Sequence, residues 1–326
     1  MIIILSRQDD GNTHLVIEWL ISLGKNFIRI NSDDERTRLA RINVAAKELI
    51  VEQNGTKFNL SDATSVWYRR RGLSIKSVQL GKEFYEKEVF PTSPGHHRKH
   101  MTDEMTEVLD FISFSLDEKC RVLGKHNSYA VNKLKVLEMA AKVGLKTPET
   151  FIITTKDDLT ELMDKSGKGF ITKAISNGVY LFTDTQAYYS YTEKLTKASL
   201  NKIRKRFFPS LVQVEIRKKF ELRVFFLDNE LYTMAIFSQK DEKTKVDFRK
   251  YNNSKPNRTV PFRVPGDIAA KIRLLMASLG LNTGSLDFIV DENDEFIFLE
   301  VNPVGQITMT SLPCNYYLEK KIAQYL

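Results

Sequence analysis

Two carboxylates and one amide near the C-terminus are the side chains in this sequence best suited to hold a cation. They lie in Gly284-Ser-Leu-Asp-Phe-Ile-Val, a turn Asp-Glu-Asn-Asp, and Glu295-Phe-Ile-Phe-Leu-Glu-Val-Asn-Pro. A hairpin about that turn pairs position 287 with 298. Glu300 and Asn302, two apart, then share a strand face, and Asp287 lies diagonal to Glu300 on that face, within about 7 to 8 Å. Two carboxylates and an amide oxygen are what Mg²⁺ takes from a protein when phosphates fill its other positions. Ile289, Phe296, Phe298 and Leu299 surround them, and carboxylates among apolar residues are costly without a counter-ion. Singly, each acid reads better as a solvated strand end; the set, with its Asn-Pro end, favours a metal site.

Phosphate needs cations, and Lys133, Lys173, Arg223 and Arg249 are the candidates by placement. Lys173 stands beside Ile171 and Ile175 in a short strand, where the alternative is a lysine protecting a sheet edge. Alternation in Phe220-Glu-Leu-Arg-Val-Phe-Phe sets Glu221 and Arg223 on one face against Leu222 and Val224, and a cross-strand ion pair is the competing role for Arg223. The fixed donor fork of arginine suits bidentate binding of phosphate or carboxylate, so Arg223 and Arg249 are better fitted than lysine to grip a reacting acyl phosphate.

These residues must be positioned by a chain of 326 residues, long enough for two or three packed units. Its 42% apolar and 28% charged composition excludes disorder, collagen and coiled coil. Two distant cysteines and no signal pattern predict a reducing, cytoplasmic setting. No apolar run reaches the roughly 20 residues of a membrane span. The net charge of +8 is uneven. Residues 1–120 hold seventeen basic and eighteen acidic side chains, 121–219 nineteen and nine, and 220–326 thirteen and fourteen, so an acidic partner should meet the middle third. From Lys194 to Lys219 there are nine Lys or Arg and one Glu, with Arg204, Lys205 and Arg206 followed by Phe207 and Phe208. That run reads either as a solvated helix face or as a nucleic-acid surface.

The apolar pattern predicts strand, helix, strand over the first thirty residues, a hairpin at Asn54-Gly55, a strand at 66–72 and a helix at 102–116. A second α/β segment follows, with a helix at 128–143, strands at 151–154 and 169–175, and a helix through Leu159 and Leu162. Longer strands come next, at 211–216, 221–227 and 231–237, then an aperiodic segment at 238–258 that reads as a mobile loop. A helix at 267–279, the two acid-bearing strands and a final helix at 316–325 complete the chain. The expected divisions are 1–120, 121–212 and 213–326, in an α/β (α+β) fold.

In order, Lys133, Lys173, Gln213-Val-Glu-Ile, Glu221-Leu-Arg, Asp247-Phe-Arg, Asp287 and Leu299-Glu-Val-Asn-Pro resemble the ATP-grasp carboxylate-amine ligases. Trp67-Tyr-Arg-Arg, Gly144-Leu-Lys-Thr-Pro, Asn302-Pro-Val-Gly-Gln and Cys314-Asn-Tyr-Tyr-Leu-Glu are similar to the graspetide (microviridin-type) synthetases, in their grasp-with-spasm branch. The resemblance spans essentially the whole chain. It implies an ATP-grasp fold with an N-terminal pre-ATP-grasp domain, a central small lobe and a C-terminal lobe. It implies ATP and Mg²⁺, with Lys133 and Lys173 on the phosphates, Gln213, Val214, Glu215 and Ile216 in the ATP site with the backbone of Val214 and Glu215 at the adenine, and Glu221 on the ribose. Arg223 and Arg249 would face the γ-phosphate and substrate carboxylate, and Asp287, Glu300 and Asn302 would hold the metal. The hinge departs from the commoner Gln-Glu-aromatic-Ile wording at Val214 and Glu215.

The implied reaction forms an acyl phosphate on Asp or Glu side chains of a ribosomal precursor peptide, which Ser, Thr or Lys side chains attack to give macrolactones or macrolactams. Charge neutralisation and positioning carry such chemistry. No covalent nucleophile is needed, so Cys314, Ser285 and the adjacent His96 and His97 receive no role. The resemblance also implies a leader-bearing, acidic peptide partner, a homodimer, and a peptide-steering use for Arg204, Lys205 and Arg206. The other readings are a ligase that adds an amino acid to a free carboxylate, of the glutathione synthetase or ribosomal-protein glutamate ligase type, and a basic nucleic-acid-binding protein on the same scaffold.

Overall fold

The computed structural model describes residues 1–33, 35–70, 72–73, 96–126, 131–176, 178, 180–183, 185–189, 191–239 and 256–326. Arg249, with Asp247 and most of the expected loop at 238–258, lies outside them. The chain forms two compact units, one of Met1–Tyr129, Gln306–Thr308 and Tyr317–Leu326, the other of Ala130–Gly305 and Met309–Tyr316. The last residues thus pack with the first unit, which the division of the sequence into consecutive segments did not anticipate.

In the first unit, β1 (Ile2–Ser6), β2 (Phe27–Asn31), β6 (Ser65–Tyr68) and β7 (Arg121–Leu123) form a parallel sheet in the order β2-β1-β6-β7. β1 is buried along its whole length, as a central parallel strand requires. Helix α1 (Gly11–Ser22) starts at Asp10, whose carboxylate accepts the Thr13 N–H at 3.0 Å, satisfying one of the open donors of a first turn. Helix α2 (His96–Asp117) contains the expected 102–116 segment and extends it towards the N-terminus. A small antiparallel sheet of β3 (Thr37–Asn43), β4 (Glu48–Gln53) and β5 (Thr56–Asn59) carries the predicted tight turn: Asn54 and Gly55 have φ of 52° and 79°, the two positive angles a type I′ hairpin needs. The C-terminal helix α8 (Leu318–Tyr325) docks here. Lys25 Nζ donates to Ala323 O at 2.9 Å, and Ser65 Oγ to Leu326 O at 2.6 Å.

The second unit holds two larger sheets. The first is antiparallel, with order β12-β9-β13-β8: β12 (Glu193–Leu195), β9 (Phe170–Lys173), β13 (Arg206–Val214) and β8 (Thr150–Thr155). Helices α4 (Lys156–Ser166) and α5 (Lys197–Lys202) give it a core through Leu159 and Leu200, against Phe170, Val212 and Val214. A short ribbon of β10 (Tyr180–Phe182) and β11 (Ala187–Tyr189) lies between these elements in sequence.

The other sheet has the order β16-β15-β14-β17-β18, from β16 (Arg258–Phe262), β15 (Glu230–Phe237), β14 (Lys218–Leu227), β17 (Thr283–Asp291) and β18 (Phe296–Asn302). One face presents Leu222, Val224, Phe226, Ala235, Leu286, Phe288, Phe298 and Val301 to helices α3 (Lys133–Lys142) and α6 (Gly266–Ser278). At about 1.5 to 3 kcal/mol for each fully buried large apolar side chain, this layer is the main stabiliser of the unit and fixes which way every polar side chain on β14, β17 and β18 must point. Helix α7 (Ile307–Cys314), absent from the sequence reading, contributes Cys314 to a small cluster with Met234 and Ile236 on the other face.

Candidate active site

The polar face of β14, β17 and β18 gathers the charged residues singled out in the sequence. Three registers define it: Arg223 lies opposite Asp287, Asp287 opposite Glu300, and Ser285 opposite Asn302. The expected pairing of 287 with 298 is corrected. Phe298 pairs with Phe288, and a bulge at Leu299 then brings Glu300 directly across from Asp287, closer than the diagonal placement inferred from an unbroken ladder.

Both acids already face cations. Arg223 Nη1 is 3.1 Å from each oxygen of Asp287, and Lys133 Nζ is 3.0 Å from Glu300 Oε2. The competing role considered for Arg223, a cross-strand ion pair, is therefore real, and its partner is one of the expected metal ligands. Lys133 reaches this face because Asn132 ends the preceding chain and caps α3: its Oδ1 accepts from the Leu134 and Lys135 N–H groups at 3.0 and 3.1 Å, making Lys133 the first helical residue.

Asn302 shares the face but turns its amide oxygen to the N–H groups of Val304 and Gly305, both at 3.2 Å. Serving a metal would require that oxygen to leave the turn. Among the described residues, no group of three or more His, Cys, Asp or Glu is gathered that could hold a metal ion by itself. The opposed Asp287 and Glu300 fit a hard cation that draws its remaining ligands from phosphate oxygens. Two buried polar atoms on this face have no hydrogen-bond partner among the described residues, Arg223 Nε and Ser285 Oγ. Ser285 was passed over in the sequence, although its spacing of two from Asp287 places it on the same strand face.

Glu221, expected at the ribose, is buried, with Lys218 Nζ 2.6 Å from one oxygen and Ser238 Oγ 2.5 Å from the other. Burial pushes its carboxyl above the usual range, and the nearby Asp287 charge adds to this; Lys218 and Ser238 offset it only in part.

On the other sheet, Gln213 is buried and its side-chain amide donates to Thr150 Oγ1 at 2.8 Å. The Val214 and Glu215 N–H groups donate to Glu149 O at 3.0 Å and Gly169 O at 2.8 Å. Those two donors are used within the sheet. The Glu215 side chain pairs with Lys194, and Ile216 packs in the apolar core. Lys173 ends β9 opposite Leu211, half-buried. Arg204, Lys205 and Arg206 are exposed. Arg204 and Arg206 border a cleft of about 510 Å³ whose apolar wall includes Leu195, Ile203 and Phe207.

Residues 130–326 match the RimK-like ATP-grasp domain. The chain belongs to the RimK-like ATP-grasp family. As an ATP-grasp ligase it carries a further match over residues 1–122, to the MvdD pre-ATP grasp domain. Its fold is that of a RiPP-associated ATP-grasp ligase of Chryseobacterium gregarium, solved with ADP and a leader and core peptide: TM-score 0.80, 24% identity, covering 99% of this chain and 94% of that one. It also resembles the macrocyclase MdnC of Microcystis aeruginosa MRC, solved with precursor peptide MdnA: TM-score 0.77, 24% identity, covering 100% and 99%. The alpha-aminoadipate–LysW ligase LysX of Sulfolobus acidocaldarius is 25% identical over 209 residues, 60% of this chain and 70% of that protein. No helix among the described residues is long and apolar enough to cross a membrane.

Proposed function

We propose that this ligase uses ATP and Mg²⁺ to activate Asp or Glu side chains of a ribosomally made precursor peptide and to close them onto Ser, Thr or Lys side chains as macrolactones or macrolactams. The observation that carries this reading is the opposed set of two carboxylates and two cations on β14, β17, β18 and α3, in a chain that aligns end to end with peptide-bound ATP-grasp ligases. Mg²⁺ would supply charge neutralisation between phosphate and carboxylate, held by Asp287 and Glu300, with Asn302 following if its turn opens. Lys133 and Lys173 serve the phosphates, and Arg223 and Arg249 orient the substrate carboxylate for in-line attack on the γ-phosphate. A hydroxyl or amine then displaces phosphate from the acyl group, so each crosslink costs the peptide one water. Gln213 through Ile216 line the adenine end and Glu221 the ribose end.

In this reading residues 1–120 form the pre-ATP-grasp domain, 121–212 the central lobe and 213–326 the lobe with the metal strands. The enzyme acts in the cytoplasm as a homodimer, and Arg204, Lys205 and Arg206 draw in the acidic peptide. Co-expression with a peptide rich in Thr or Ser and Asp or Glu, followed by intact-mass analysis, tests it. Loss of one water per crosslink is expected. The likeness to LysX favours one second reading, addition of a building block to a free carboxylate; a gain in peptide mass would establish that reading and overturn the first.

A further inference from the structure

The two carboxylates offered to the metal are neutralised by two of the cations offered to phosphate. Lys133 lies 3.0 Å from Glu300, and Arg223 3.1 Å from both oxygens of Asp287, with side-chain exposures of 20%, 27%, 8% and 19% in that order. These four charges sum to zero. A divalent ion entering alone would add two positive charges beside a buried guanidinium and an ammonium. A polyphosphate entering alone would meet two carboxylates. Arriving together they compensate each other, provided the carboxylates turn to the metal and the cations to the phosphate oxygens. The geometry permits that exchange: Lys133 extends from the first turn of α3 on a flexible stem, and Arg223 keeps a buried Nε donor with no partner among the described residues.

Resting on the reading above, we infer that the Lys133–Glu300 and Arg223–Asp287 pairs form an internal counter-ion lock, which excludes free metal and exchanges partners only when metal and nucleotide bind together. Merely structural pairs would not exchange, and removing the Lys133 charge would then leave binding of metal alone unimproved.

The test uses Mn²⁺ as a paramagnetic probe on the full-length protein, with bound and free ion separated by electron paramagnetic resonance, with and without ATP. Wild type should bind Mn²⁺ weakly alone and far more tightly with ATP. Lys133→Met should raise the affinity for Mn²⁺ alone at least about 100-fold, the scale of removing one unit charge about 5 Å from a divalent ion at an effective dielectric of about 40, and should lower the affinity for Mn²⁺ with ATP. Lys133→Gln serves as a second uncharged variant. Unchanged or reduced binding of Mn²⁺ alone in both variants, with Mn²⁺–ATP still bound by wild type, overturns the lock and leaves the proposed function standing. Absence of Mn²⁺–ATP binding by wild type overturns both, and unfolding of both variants shows the pair to be structural and overturns the lock.

Discussion

Replacing Asp287 by Asn should destabilise the protein more than loss of a metal ligand would suggest. Arg223 is 6% exposed and pairs with Asp287, through Nη1 at 3.1 Å to both oxygens. Losing one partner of a fully buried pair costs about 3 to 5 kcal/mol, mostly from the charge left behind. Because the Asp287 side chain keeps 19% exposure, water relieves part of that, and about 2 to 3 kcal/mol is the expected loss. At roughly 2 to 4 °C per kcal/mol for a unit of this size, Tm should fall by about 4 to 12 °C. Arg223→Met combined with Asp287→Asn removes both charges and should recover at least about 1 kcal/mol of the loss, while peptide crosslinking stays absent because both groups belong to the proposed site. Thermal denaturation of the two single variants and the double variant closes the cycle. Strict additivity, or an Asp287→Asn protein as stable as wild type, would refute the view that this pair is energetically coupled.

Four further outcomes are expected. Glu300→Gln should lower crosslinking kcat/KM at least about 100-fold, the scale on which one electrostatic partner of a transition state acts; a normal rate of water loss from the peptide would sink its assignment to the metal. Neutralising Arg204, Lys205 and Arg206 together should weaken binding of an acidic peptide about 3- to 10-fold and flatten its salt dependence, with ATP affinity unchanged by calorimetry. Asp10→Asn should cost about 2 to 4 kcal/mol at neutral pH, since the carboxylate accepts from Arg69 Nε at 3.1 Å and Arg70 Nε at 3.0 Å. Burial alone would raise the Asp10 carboxyl, but Arg69, the Thr13 N–H and Arg70 outweigh it and hold it below the usual range; the stability it gives is present above the unfolded value and lost as pH falls through the lower folded value, so acid titration of Tm should be shallower in the variant. Asn132→Ala should cost about 1 kcal/mol in urea denaturation and raise KM for ATP, because it removes the cap that sets Lys133 at the start of α3.

Elements with a strong period or a distinctive turn were legible in the sequence. The Asn54-Gly55 turn has its two positive φ angles, and α6, expected at 267–279, runs from Gly266 to Ser278, because its buried Ala269, Ile272, Leu275 and Met276 repeat at three and four. Helix α7 was not legible. Its Ile, Thr and Ser residues are weak helix formers and a proline stands near the end, and its inner side, with Thr310, Ser311 and Cys314 buried, is revealed by tertiary packing. The docking of α8 was equally hidden, since a contact between Ser65 and Leu326 leaves no local pattern at either position.

The bulge at Leu299 was also out of reach of spacing alone, yet the site depends on it. In a regular strand Phe298 and Glu300 share a face, as residues two apart must. Phe298 is fully buried in the helix-covered core, so an unbroken β18 would drive the Glu300 carboxylate into the same apolar layer, where an ionised acid is prohibitively costly. One extra residue resolves the conflict: the phase resets, Phe298 and Val301 both enter the core, and Glu300 and Asn302 emerge on the opposite face beside Asp287 and Ser285. The local sequence therefore contained a contradiction, an aromatic and an acid two apart with opposite solvation needs. Such contradictions are where a ladder can bulge, and bulges recur beside active sites.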